Sequence, residues 1–253
     1  MMIQDVKDLP RSVLSYLQCS NLIGATGKAF KNLSARSSVG NLITIYNLFE
    51  EVQPNYTLEI GMAFGLSTLL FSDLHNKKLK NLHDDLKNPQ VKDSKLHYAI
   101  DPFQSSVWDS TGLCTIKDYG FQNLLCFHES FSCFVLPQLL QEKKQYGMIY
   151  IDGSHLFEDV FIDFYYASLL LADNGILLFD DCSSIQVLKV VKFIKRNLSD
   201  YLEEIDLTKY RGYCSTVDKS KYQLGRFLGK VQARAFRKIK PLPRPHDAGF
   251  NTF

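Results

Sequence analysis

The stretch Thr57-Leu58-Glu59-Ile60-Gly61-Met62-Ala63-Phe64-Gly65-Leu66-Ser67-Thr68 decides the fold. Its first four residues read as a buried strand, and Leu66 opens a segment of helical period. Gly61 and Gly65 lie in the turn between them. Glycine permits positive φ and, lacking Cβ, lets the backbone and the N-terminus of the next helix come close to a ligand. A tight turn that merely needs glycine is the plainer reading. Glu59 is a charge at the end of an apolar strand and is costly there without a partner. A dinucleotide turn, G-x-G-x-x-G, would need glycine where this chain has Ala63 and Leu66, which counts against a nicotinamide-dependent oxidoreductase.

Outward from this turn, short apolar runs alternate with helical segments, the pattern of a parallel sheet covered by helices. Strands are predicted at Thr57–Ile60, Leu96–Ile100, Leu124–His128, Tyr146–Ile151 and Gly175–Phe179. Helices are predicted at Ser38–Val52, Leu66–Leu74, Phe131–Glu142, Leu156–Leu171 and Ser184–Leu198. Right-handed crossovers then give an open, doubly wound α/β sheet with helices on both faces. Residues 1–37 read as an N-terminal extension, residues 38–218 as the α/β domain, residues 76–95 as an exposed insert and residues 219–253 as a basic C-terminal tail.

The chain has 253 residues, 45% of them hydrophobic, with a formal net charge of +2, too small to expect nucleic acid as a partner. No apolar run is long enough to span a bilayer, nothing resembles a signal peptide, and a cytoplasmic protein is expected. The six cysteines, at 19, 114, 126, 133, 182 and 214, form no CxxC pair and read as reduced thiols. From Lys219 to Arg244 there are nine Lys or Arg residues and no Asp or Glu. That segment reads either as a solvated or disordered end or as an amphipathic helix docking on an acidic partner.

Two further strand ends carry chemistry. Asp101, in Ile100-Asp101-Pro102-Phe103-Gln104, can accept both hydroxyls of a ribose, or it can form an ordinary Asp-Pro turn. Tyr150-Ile151-Asp152-Gly153-Ser154-His155 and Phe179-Asp180-Asp181 would bring three carboxylates and an imidazole to the same sheet edge as the glycine turn. Such crowding calls for a cation or for protons. Mg²⁺ held by Asp152, Asp180 and Asp181 is the favoured reading. Helix capping by Asp181 or Ser183 and a turn at Asp152 are the alternative. His155 is read as a general base, positioned to take a hydroxyl proton.

Together, E-I-G-x-x-x-G-x-S-T, the run Asp101-Pro-Phe-Gln with Trp108 and Gly112, I-D-G-S-H followed by Asp163-Phe164, and F-D-D resemble bacterial class I methyltransferases, often acting on sugars or glycosylated products. The resemblance covers about Ser38 to Leu198, and Ala63 departs from the broader motif, which has glycine there. It implies a Rossmann-like seven-stranded sheet, mostly parallel with an antiparallel last strand, and methyl transfer from S-adenosylmethionine to a hydroxyl of a sugar or small glycosylated molecule. The cofactor would meet Glu59, Gly61, Ala63, Gly65, Ser67, Asp101, Pro102 and Asp152, with Glu129 and Ser130 near the adenine. Asp152, Asp180 and Asp181 would bind Mg²⁺, and His155, with Asp152, would carry the chemistry. A metal-independent methyltransferase, in which Asp152 pairs with His155, is the alternative, and a homo-oligomer is left open.

Overall fold

The computed structural model describes residues 2–86, 95–212 and 216–253, with the side chains of 82–86 and 216–218 set aside. Seven strands form one sheet: β1 (Thr57–Ile60), β2 (His97–Ile100), β3 (Leu125–His128), β4 (Tyr146–Ile151), β5 (Leu171–Phe179), β6 (Leu202–Ile205) and β7 (Arg234–Lys238). The order is β3-β2-β1-β4-β5-β7-β6, and only β7 runs antiparallel to its neighbours. This is the Rossmann-like sheet expected from the sequence, including its antiparallel last strand. The order reverses at β1, so a crevice opens above the ends of β1 and β4.

Helices cover both faces: α1 (Arg11–Leu17), α2 (Val39–Val52), α3 (Leu66–Leu86), α4 (Thr111–Asp118), α5 (Ser132–Gln141), α6 (Phe157–Leu170), α7 (Ile185–Asn197) and α8 (Thr216–Phe227). Their buried stripes pack on the sheet in two hydrophobic clusters, one around Phe49, Phe71 and Tyr150, the other around Ile149, Phe164 and Phe179. α2 starts where the Ser38 side chain accepts the Asn41 N–H at 3.2 Å and stops where Gln53 turns left-handed at φ +49°. These caps fix the helix whose first turn faces the crevice.

Two expectations need correction. The helix after β1 runs to Leu86, so the charged residues after Leu74 continue it and do not begin an insert; residues 87–94 lie outside the described residues. Lys and Leu favour helix, and Lys77 reaches Glu50 (2.9 Å) while Lys78 reaches the carbonyls of Gln53 and Pro54, so the charges tie α3 to its surroundings. The N-terminal extension packs tightly on the domain. Val13 and Tyr16 are buried, Tyr16 donates to the Phe64 carbonyl at 2.9 Å, and Leu22–Ile23 pairs with Ala29–Phe30.

The basic segment is the second. Arg234–Lys238 is a strand between β5 and β6, with Arg234 only 5% and Lys238 only 4% exposed. Arg234 pairs with Glu204 (2.7 Å), Lys238 donates to the Leu171 carbonyl (2.6 Å) and Arg237 pairs with Glu51 (2.6 Å). These three cations serve inside the fold, whereas Lys219, Lys221, Lys230 and Lys240 of the same segment are exposed. No helix among the described residues is long and apolar enough to cross a membrane. Cys19, Cys114, Cys126, Cys133 and Cys182 are free thiols, and Cys214 lies outside the described residues.

Candidate active site

The strand ends put the functional residues in a row. Just past the strands, Asp180 N donates to the Ile151 carbonyl (3.0 Å), Asp152 N to that of Ile60 (2.8 Å), Gly61 N to that of Ile100 (2.9 Å) and Asp101 N to that of His128 (3.1 Å). One edge of the sheet therefore carries Asp180, Asp152, Gly61 and Asp101 in sequence, beneath a cavity of about 900 Å³. Gly61 (φ +93°) lies so close to β4 that a Cβ would meet the Asp152 carbonyl oxygen at 2.1 Å. Glycine is required there both by conformation and by space.

The turn itself is held by Asp101. Its Oδ2 accepts from the N–H groups of Met62 (3.1 Å) and Ala63 (2.8 Å) and from the Gln104 amide (3.2 Å), while its Oδ1 accepts from Phe103 N (2.8 Å). Oδ1, with that one donor, keeps acceptor capacity, and Asp101 lines the cavity. Ala63 is held left-handed at φ +43° by the Asp101 bond and by Gln104 Nε2, which donates to its carbonyl at 2.7 Å. That conformation explains why glycine would be at home in its place.

At the other end of the row, Tyr150 donates its hydroxyl to Asp180 Oδ2 (2.7 Å) and lies 3.0 Å from Asp152 Oδ2. Asn41 Nδ2, from the first turn of α2, donates to the same Asp180 oxygen at 2.5 Å. Burial, together with the charges of Asp180 and Asp181, pushes the Asp152 carboxyl well above the usual range; burial raises Asp180 as well, against the hydrogen bonds it accepts. One hydroxyl proton cannot serve two carboxylates, so this pair needs a shared proton or a cation. Asp181, at φ +50°, turns away from the pair. Its Oδ2 lies 2.5 Å from His155 Nε2, and its Oδ1 accepts from the Gln232 amide. His155 is 58% exposed at the cavity wall, so it is open to a substrate.

Residues 58–182 match a protein family described as a methyltransferase domain. The chain carries a methyltransferase domain. No curated protein matches it by sequence. Among solved structures, it is similar to the O-methyltransferase TomG from Streptomyces achromogenes, involved in tomaymycin synthesis and solved with SAM, at 14% identity over 90% of this chain and 89% of that one, with a TM-score of 0.59. An O-methyltransferase from Bacillus cereus, solved with SAH, is 13% identical over 91% of each chain, with a TM-score of 0.59. CalS11, a TDP-rhamnose 3'-O-methyltransferase in calicheamicin biosynthesis, is 15% identical over 78% of each, with a TM-score of 0.52. The expected enzyme class, an S-adenosylmethionine-dependent methyltransferase, rests on the domain match together with the seven-stranded sheet.

In this methyltransferase the cavity is lined by Gly61, Ala63, Ser67, Asp101, Pro102, Asp152, His155, Asp180 and Asp181. Four other residues singled out in the sequence lie off its wall. Glu59 is wholly buried, accepting from Thr68 (2.5 Å) and facing His97 (3.2 Å). Gly65 packs on Gly112, with room for a Cβ only 2.9 Å from its Cα. Glu129 is exposed and accepts from Ser105 N at 2.6 Å. Ser130 precedes Phe131, Ser132 and Cys133, which do line the cavity. Trp108 lines it too, edge-on to Phe64 at 4.9 Å. His155 pairs with Asp181, and Asp152 pairs with Tyr150, which differs from the Asp152–His155 pairing of the metal-free alternative.

Sequence reasoning passed over Asn41, Tyr150 and Gln232, and Arg36 and Ser37 of the extension also line the cavity. A polar Asn41 within the apolar run Val39-Gly40-Asn41-Leu42-Ile43 was the one available signal. Among the described residues, no group of three or more His, Cys, Asp or Glu side chains is gathered as a metal site.

Proposed function

We propose that this methyltransferase moves the methyl group of S-adenosylmethionine to a hydroxyl of a sugar or small glycosylated molecule, with His155 as general base. The observation that carries the reading is the His155–Asp181 pair at 2.5 Å, set at one end of a cavity whose other end is the glycine turn and Asp101. With its Nε2–H donated to Asp181, the imidazole has Nδ1 free to accept a proton. The acceptor oxygen forms a bond to the methyl carbon as the carbon–sulfur bond breaks. Its proton passes to His155, and the thioether leaves neutral. Alignment of oxygen and methyl within the cavity supplies much of the acceleration, and base catalysis adds about 10²- to 10⁴-fold.

Asp101 and Ser67 would meet the ribose and methionine parts of the cofactor, with Gly61 and Ala63 allowing close approach. Beside Tyr150 the Asp152 and Asp180 carboxylates, whose burial disfavours charge, offer the oxygen donors that suit Mg²⁺. Asp152 and Asp180 would hold the ion, which when bound would lower the pKa of a substrate hydroxyl, while Asp181, the third carboxylate of the expected set, is engaged by His155 and Gln232. The sugar preference rests on fold-level likeness to CalS11 and on the hydroxyls and amide of Ser34, Ser37, Ser38 and Asn41 along the cavity. The test is transfer of labelled methyl from S-adenosylmethionine to a panel of nucleotide sugars, glycosides and phenols, with and without EDTA. Transfer to phenols alone would overturn the acceptor class, and transfer unaffected by EDTA would overturn the metal.

A further inference from the structure

Asp163, on α6, is a carboxylate that the chemistry above does not use. It is 1% exposed yet lines the cavity. One oxygen is engaged by the Ser132 side chain, whereas Oδ1 is buried without a hydrogen-bond partner among the described residues. A buried, unpaired carboxylate oxygen is expensive unless a donor reaches it. No side chain of the cavity wall does so, which leaves a ligand to supply the N–H or O–H.

The topology says which part of a ligand lies there. Along the sheet edge, β5 and β4 bring the carboxylates and His155, β1 the glycine turn and β2 Asp101. Beyond them β3 leads into Phe131 and Ser132 at the start of α5. Ser132 is the residue that holds Asp163, so Asp163 lies at the end of the cavity opposite the chemistry. Pro102, Phe103 and Phe131 line the same end, Phe103 and Phe131 meeting edge-to-face at 5.8 Å. Apolar walls with a single buried acceptor suit a flat heteroaromatic ring that carries an amino group.

We infer that Asp163 accepts a hydrogen bond from the exocyclic 6-amino group of the cofactor's adenine and is the residue that selects adenine over a 6-oxo purine. The assignment rests on the S-adenosylmethionine reading above. It moves the base-recognising acid from Glu129, which lies off the cavity wall, to α6. Burial pushes the Asp163 carboxyl up to about 7, and a second donor from the ligand would favour its ionised form.

Titration calorimetry with S-adenosylhomocysteine and S-inosylhomocysteine, which has a carbonyl in place of the 6-amino group, tests this. The wild-type protein should prefer the adenosyl compound by about 10- to 100-fold, the loss expected when a charged acceptor faces a carbonyl. Asp163→Asn should bring the two affinities within a few-fold of each other, because its amide can donate to the carbonyl. Equal affinities in the wild type, or an unchanged preference in a folded Asp163→Asn, would overturn the assignment alone. Wild-type protein that binds neither compound would overturn the cofactor reading and the assignment with it. The wild-type comparison needs no variant, so it decides the matter even if Asp163→Asn fails to fold.

Discussion

Around Gly61 the Asp101 carboxylate and the N–H groups of the turn already have protein partners, although Gln104 Oε1 is buried without one, whereas around Tyr150 two carboxylates compete for one hydroxyl. The Asp101 carboxylate takes four donors, three from the backbone and one from the Gln104 amide, and the turn is fixed before any ligand arrives. At the other end, Asn41 Oδ1 is buried without a partner, and Asp152 and Asp180 share one tyrosine hydroxyl. The first arrangement is a preformed mould for a ligand that is the same in every turnover. The second stores unfavourable electrostatics that a proton, cation or acceptor relieves, as expected where chemistry occurs. Substitutions at the first end should therefore act on binding and stability, and those at the second on turnover.

The largest effect is expected from Gly61→Ala. The new methyl would overlap the Asp152 carbonyl oxygen at 2.1 Å, and the φ of +93° is unfavourable for any side chain. S-adenosylhomocysteine binding should fall more than about 100-fold, with a clear drop in Tm, since β1 and β4 cannot separate without disturbing the sheet. Gly120→Ala is the matched control: it has φ +76° but open space around it, so only the strain of about 1 kcal/mol applies. Equal Tm losses in the two variants would remove the close-approach explanation.

His155→Ala comes next. Turnover should fall about 10²- to 10⁴-fold while S-adenosylhomocysteine affinity stays within a few-fold, because the imidazole lies at the acceptor end and contributes to chemistry. Parallel losses of turnover and cofactor affinity would break the division between the two ends.

How much of this was legible depends on how far apart the contributing residues stand. Gly61, Asp101, Asp152 and Asp180 each sit at a strand end, and apolar runs mark strand ends in the sequence. Asn41, Tyr150 and Gln232 come from a helix, a strand interior and the basic segment, and nothing local announces that they meet at Asp152, Asp180 and Asp181. Tyr150 reads as one more core aromatic until its hydroxyl is placed. Arg234 and Lys238 misled for a related reason. Charge runs usually mark solvated faces, and their acceptors, Glu204 and the Leu171 carbonyl, are 30 and 67 residues away. The same distance hid Glu59's partner: its charge at a strand end suggested a ligand, yet Thr68 and His97 use it inside the core.

A third prediction concerns pH. Burial and, secondarily, the charge of Asp159 lift Asp163 to about 7 against the Ser132 hydrogen bond. Between the ordinary carboxylate value near 4 and about 7, the folded protein holds a proton that the unfolded chain has released, so Asp163 lowers stability as pH rises through that window. The difference in unfolding free energy between Asp163→Asn and wild type, measured from pH 4 to 8, should move in favour of the variant by on the order of a few kcal/mol. A flat difference would show that Asp163 is ionised throughout, already satisfied by a donor in the free protein.

The smallest effect is expected at Ala63, where the two ends can be told apart by a single methyl group. Left-handed backbone costs an alanine roughly 1 kcal/mol, and here it is imposed by Asp101 and Gln104, which grip the Ala63 N–H and carbonyl. Ala63→Gly relieves that strain in the folded state but also loosens the unfolded chain, which costs about 0.4–1 kcal/mol. The two nearly cancel, so Tm should change by no more than a few degrees, with turnover at saturating cofactor unaltered. S-adenosylhomocysteine affinity is the sensitive readout. If the Asp101 and Gln104 bonds alone fix the turn, affinity stays within about twofold; if the alanine methyl helps to hold it, affinity drops further while Tm does not. A change in turnover without a change in affinity would mean that the glycine turn reaches into the chemistry, and the separation between a preformed cofactor end and a strained chemical end would no longer stand.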